Sequence, residues 1–172
     1  YGKDLGVSNS TNSWKIGGSS EQWHFTTRYE MYANEQLYAL RAYITNESVV
    51  GAEVKAILYE ADTTAVSGLL FLYESDNYII TPSDRGSWVD IPFLSPISLL
   101  SGYAYEFGIA GFQHPTDSVF VGCSGESMYN GEHSLFDELG LNPNDPANLG
   151  TPTWYYITRT PMVRMNFNSS II

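Results

Sequence analysis

The most direct sign of an enzyme would be an activated nucleophile, and GCSGES at residues 122–127 comes nearest to one. A nucleophile elbow needs G-x-S-x-G on a sharp strand-to-helix turn that lifts the serine Oγ clear of the sheet. Here Glu126 stands where the second glycine belongs, and no helix-forming run follows. Ser124 therefore reads as the end of a strand. Cys123 is the single cysteine; it cannot form an intramolecular disulfide, and in VFVGC it reads as a small buried apolar residue. His24, His114 and His133 lie far apart, with no spacing that places two on one metal. Asp137, Glu138, Asn142, Asn144 and Asp145 supply the oxygens calcium takes, without the D-x-D-x-D-G order of an EF-hand loop. Calcium is the cation such a loop would suit, but no residue is assigned to it and no cofactor is expected. Glycoside hydrolysis needs two acids across a cleft, and nothing singles out a pair. No catalytic residue is expected, and the chain is read as a non-enzyme.

What remains is aromatic. The 172 residues include 13 Tyr, 8 Phe and 4 Trp. Sugar recognition uses exposed ring faces, which stack on the apolar C–H surface of a pyranose; on a strand these rings are the ones out of phase with the core. In WVDIPF, Trp88 is out of phase with Val89, Ile91 and Phe93. In TWYYIT, Trp154 and Tyr156 share a face, about 6.8 Å apart along a strand. Trp88, Trp154 and Tyr156 are thus the candidate carbohydrate contacts. The competing expectation is that Trp154 packs beneath the long loop before it, since Trp is mostly buried.

The elements carrying these rings are strands. LYALRAYIT sets Tyr38, Leu40, Ala42 and Ile44 against Arg41, Tyr43 and Thr45. YAYEFGIA sets Tyr103, Tyr105, Phe107 and Ile109 against Glu106, and MVRMNF sets Val163, Met165 and Phe167 against Arg164 and Asn166. Such alternation marks strands with one face in a core. GAEVKAILYE and GLLFLYE alternate less cleanly, as strands covered on both faces or near an edge do. Turn-rich segments such as TPSDRG, FQHPTD and NPNDPANLG separate the runs. The pattern predicts a single all-β domain over residues 1–172: an antiparallel, jelly-roll-like sandwich. One long loop, about residues 124–152, is expected to carry a short helix over 134–140, capped by Ser134 and closed by Gly140.

Eight basic against nineteen acidic residues give a formal charge of −11. Phosphate backbones and anionic lipid surfaces would be repelled, so no nucleic-acid partner is expected. No apolar run reaches the roughly 18 residues of a membrane-spanning helix, and no membrane insertion is expected. The chain starts at Tyr1, as a processed protein or a piece of a larger one would.

Taken in order, SNSWKIGG, LYALRAYIT, AEVKAILYEAD, WVDIPFLSPISLLSGYAYEFGIAGF and TWYYITRTPMVRMNF resemble the jelly-roll modules of secreted and cell-surface Bacteroidota proteins. Modules of that type often precede a C-terminal type IX secretion sorting domain. The resemblance covers most of the chain outside 124–152. It implies an extracellular or cell-surface location and a non-catalytic recognition or adhesion role, with a glycan or a protein as partner. The alternative it leaves open is a structural subunit that assembles with copies of itself or with a larger complex. It also implies O-glycosylation at Asp-Ser/Thr sites, for which Thr63 in Asp62-Thr63-Thr64 and Ser118 in Asp117-Ser118-Val119 are the matches.

Overall fold

The computed structural model describes residues 4, 12–19, 22–62, 68–126, 133–137, 141–142, 145–149 and 152–172. In chain order the strands are β1 (Ser13–Gly17), β2 (Trp23–Glu30), β3 (Glu35–Ile44), β4 (Glu53–Ala61) and β5 (Leu69–Glu74). They continue with β6 (Tyr78–Ile79), β7 (Ser87–Leu99), β8 (Ala104–Gly111), β9 (Val119–Glu126) and β10 (His133–Asp137). The last are β11 (Leu141–Asn142), β12 (Asp145–Leu149), β13 (Thr153–Tyr156), β14 (Arg159–Pro161) and β15 (Val163–Asn166). A 3₁₀ turn, Ser169–Ile171, follows.

Two antiparallel sheets face each other. In the first, β9 pairs with β1, β3 pairs with β7, and β3 meets β9 directly at Ile44 and Val121. The remaining gap between β3 and β9 is filled by β14 and β15. Met162, between those two, accepts from the Tyr43 amide at 3.0 Å and donates to the Gly122 carbonyl at 2.9 Å. The second sheet runs β13-β10-β2-β8-β4-β5, with β6 also on β4. In the orders β1-β9-β3-β7 and β2-β8-β4-β5 the long strands alternate between the sheets except at the adjacent pair β4 and β5, a jelly-roll-like arrangement. β11 and β12 form a small ladder of their own.

The alternation read from the sequence faces the core where expected. Leu40, Ala42 and Ile44 of β3, Val89, Ile91 and Phe93 of β7, and Val163 and Met165 of β15 are buried from one sheet. Phe25 of β2, Val54 and Leu58 of β4, and Tyr105, Phe107 and Ile109 of β8 meet them from the other. Tyr103, just before β8, is exposed rather than core-facing, and Tyr38 also departs from the pattern: it is half-buried, while Leu37 and Ala39 are buried. The reason is a wide bulge in β7. Leu37 lies opposite Ile97 and Ala39 opposite Pro92, so Phe93–Pro96 face a single residue of β3. As an edge strand, β7 tolerates Pro92 and Pro96, which cannot donate to a ladder. β7 is entered through Gly86, at φ +72°, where a side chain would also strike Asn46.

The helix expected over 134–140 is not formed where the chain is described. Residues 133–137 are β10, hydrogen-bonded from His133–Asp137 to Thr27–Trp23 of β2 and from Ser134–Asp137 to Tyr156–Thr153 of β13. A seven-residue helix is marginal by itself, and two flanking ladders offer every backbone group in this segment a partner. Much of the expected 124–152 loop is therefore strand: β9 continues through Glu126, and β10, β11 and β12 follow.

Candidate functional site

The site lies on the outer face of the second sheet, away from the core. One row crosses five strands there: Trp154 of β13 opposite Phe136 of β10, Phe136 opposite His24 of β2, His24 opposite Ala110 of β8, and Ala110 opposite Lys55 of β4. Trp154 stacks on Phe136 with ring centroids 4.7 Å apart, and the Phe136 ring meets His24 at 5.2 Å. The outward positions of β8 nearest this row, Gly108 and Ala110, are small. Across that low floor His24 Nδ1 and Tyr59 Oη approach to 2.7 Å, although their strands are not neighbours. Tyr59 also meets Trp154 edge-on at 5.3 Å and Phe71 of β5 at 5.5 Å.

This face is apolar enough to form a second cluster. Ile57 (1% exposed), Tyr59 (7%) and Ala110 (5%) pack together, with Leu69 and Trp154 against them. A groove of about 560 Å³ runs beside the cluster, within the roughly 300–1,000 Å³ typical of small-ligand sites. Rings of Tyr59, Phe71, Phe112, Phe136 and Trp154 line it, with polar groups from Gln22, His24, Lys55 and Glu74. At its β4–β5 end Lys55 Nζ donates to Glu74 Oε1 at 2.6 Å and lies 5.9 Å from the Phe112 ring centroid.

Trp154 is half-buried, packed against Phe136 and Tyr59, and it lines the groove. Tyr156 lies on the same face, opposite Ser134, and is 63% exposed. Tyr155 turns to the other face, where its ring meets Trp23 at 6.0 Å. Trp88 does not join this set. It sits on β7 in the other sheet, with Tyr43 edge-on at 5.7 Å and the Arg164 guanidinium 4.1 Å from its ring centroid. Arg164 is held there by a bidentate pair with Asp4, at 2.8 and 2.6 Å. The three candidate contacts are therefore split between two sheets, because phase within a strand says nothing about which sheet receives it.

The groove also uses His24, Tyr59, Phe71 and Phe136, which the spacing of residues did not single out. A signal was present in β4, where Ile57 and Tyr59 are large apolar residues out of phase with the core residues Ala56 and Leu58. A strand apolar on both faces must be covered on both, and here the outer cover is the ring cluster.

The other candidates are placed as follows. Cys123 is buried in the main core, and burial pushes its thiol up to about 12, which leaves it a poor nucleophile. Ser124 is buried in β9, opposite Thr160, in extended backbone rather than at a turn. Among the described residues no group of three His, Cys, Asp or Glu is arranged to hold a metal. His114 binds locally in the β8–β9 loop, its Nδ1 accepting from the Asp117 amide at 3.1 Å. The Asp117 carboxylate lies 3.2 Å from the same nitrogen. Ser118 is half-buried in that loop, its carbonyl accepting from the Val49 amide at 2.8 Å. Thr63, Glu138 and Asn144, and the side chains of Asp137, Asn142 and Asp145, lie outside the described residues.

No family model matches the chain, and a search of curated proteins finds no match.

Proposed function

We propose that this chain is a non-catalytic recognition module whose ligand is a carbohydrate bound in the outer-face groove. The observation that carries the reading is the groove's composition: five aromatic rings around a low floor, with paired polar groups among them. Rings give a pyranose its stacking surface, while hydrogen-bonding groups fix its orientation. The one acid among the described lining residues, Glu74, is ion-paired to Lys55, whereas glycoside hydrolysis calls for two acids across a cleft. This supports recognition over turnover. Trp154→Ala removes the stacked ring, and affinity electrophoresis through gels containing soluble polysaccharides reads the effect. Retardation of the parent, weakened about tenfold or more in the variant, supports the reading. Equal retardation of both, or none of either, overturns it.

A secreted or cell-surface setting, of the Bacteroidota jelly-roll kind, belongs to the same proposal and rests on the quoted strand motifs. Intact-mass measurement on protein from its native host tests the glycosylation at Thr63 and Ser118; a mass equal to the bare chain removes it.

A structural role in a surface assembly is the second reading, and β5 favours it. This edge strand leaves Leu70, Phe71 and Tyr73 about half exposed, a template on which another strand could pair. Light scattering across a concentration series separates the two: self-association points to assembly, and a constant monomer to recognition.

A further inference from the structure

We infer that the groove selects an uncharged glycan, and that the Lys55–Glu74 pair reads two neighbouring hydroxyls of it; this rests on the carbohydrate reading above. The cross-strand row that begins at Trp154 ends at Lys55, so the ion pair and the stacked rings stand at opposite ends of one surface. The chemistry of the pair decides what it can bind. Lys55 retains two N–H donors beyond the one directed at Glu74, and Glu74 retains acceptor sites on its second oxygen. A donor and an acceptor side by side match a vicinal diol, in which one hydroxyl accepts and its neighbour donates.

The same pair discriminates against charge. At 2.6 Å the ammonium and carboxylate cancel to no net charge, leaving only a dipole whose attraction for a carboxylate, sulfate or ammonium on the ligand is weaker than that of an unpaired charge. The chain's −11 adds a general repulsion of polyanions. A wholly apolar ligand is disfavoured too, because it would strip water from the pair without replacing its hydrogen bonds. The two partners differ in access. The Lys55 side chain is 21% exposed and lies close to the Phe112 ring, whereas Glu74 on β5 is 49% exposed and reachable.

The test compares the parent chain with Glu74→Gln, Lys55→Met and Trp154→Ala. Affinity electrophoresis is run in mixed-linkage β-glucan, xylan and galactomannan, with polygalacturonate as the acidic polymer, and thermal melts confirm that each variant folds. The parent is expected to be retarded by at least one neutral polymer and not by polygalacturonate. Glu74→Gln should weaken neutral binding about tenfold and acquire retardation in polygalacturonate, because it exposes the Lys55 charge. Lys55→Met should show the loss without the gain. If both variants bind neutral polymer as the parent does while Trp154→Ala fails, the carbohydrate reading stands and this selectivity falls. Stronger retardation of the parent in polygalacturonate than in any neutral polymer also overturns it. A parent that binds none of the four overturns the carbohydrate reading, and this inference with it.

Discussion

The ring centroids of Trp154 and Tyr59 lie 5.3 Å apart, although β13 and β4 are separated by β10, β2 and β8 in one sheet. Four inter-strand spacings would hold those strands about 19 Å apart in a flat sheet. The contact therefore requires the sheet to curl towards its outer face, bringing an edge strand round over an inner one. The groove is a product of that curl, and the aromatic cluster closes it at one side.

The Tyr59 hydroxyl ties the arch to its floor through His24. Tyr59→Phe keeps the ring contacts with Trp154 and Phe71 and removes this bond between two buried side chains. The expected loss is about 1–2 kcal/mol of stability. Urea unfolding should show a lower midpoint at an unchanged slope.

Gly108 is the tightest point beneath the groove. A Cβ there would stand 2.1 Å from the Phe25 carbonyl oxygen and 2.7 Å from Thr26 Cα, both backbone atoms of the neighbouring strand. Neither can yield without breaking the β2–β8 ladder. Gly108→Ala should lose about 3 kcal/mol or more, read as a fall in melting temperature or as insoluble protein.

Asp90 supplies a pH dependence. Its burial works to raise the carboxyl pKa, but hydrogen bonds from Arg41 and Asn166, with the Arg41 charge, outweigh this and hold it below its ordinary value of 3.8. Because the folded value is the lower one, the ionised form favours the folded state. That contribution is fully present above about pH 3.8 and is lost as pH falls through the depressed folded value. Asp90→Asn should therefore show a shallower decline of stability below about pH 4 than the parent, measured by denaturant midpoints across an acid series.

On the other sheet, Arg164 covers Trp88 while bound to Asp4. Arg164→Ala should open that ring to solvent, raising quenching of Trp88 by acrylamide once a Trp88→Phe control has been subtracted. Arg164→Lys should restore the cover only in part, since an ammonium cannot both lie flat on a ring and make the bidentate pair. The stability change is expected to be about 1 kcal/mol.

Strand identity and inward face were legible in the sequence because alternation is a property of local backbone geometry. Val89, Ile91 and Phe93, or Leu40, Ala42 and Ile44, point one way whatever the strands pair with. The jelly-roll-like class followed from the number of such runs and the turns between them. The candidate groove was legible only in fragments: phase picked out Trp154, which lines it, but also Tyr156, which is not among its lining residues, and Trp88, which belongs to the opposite sheet. The 134–140 segment reads as a capped helix locally and is strand over the part described, because pairing with β2 and β13 is not written in its own residues.

By itself, then, the sequence determined which residues of each strand face the core, since that choice has a period of two and needs no partner. Only the tertiary structure decided which outward residues meet. Trp154 reaches Tyr59, and Tyr59 reaches His24, because strands remote in sequence are ordered into one curled sheet. Strand order and curl are set by the packing of all the strands together, and no single stretch encodes them.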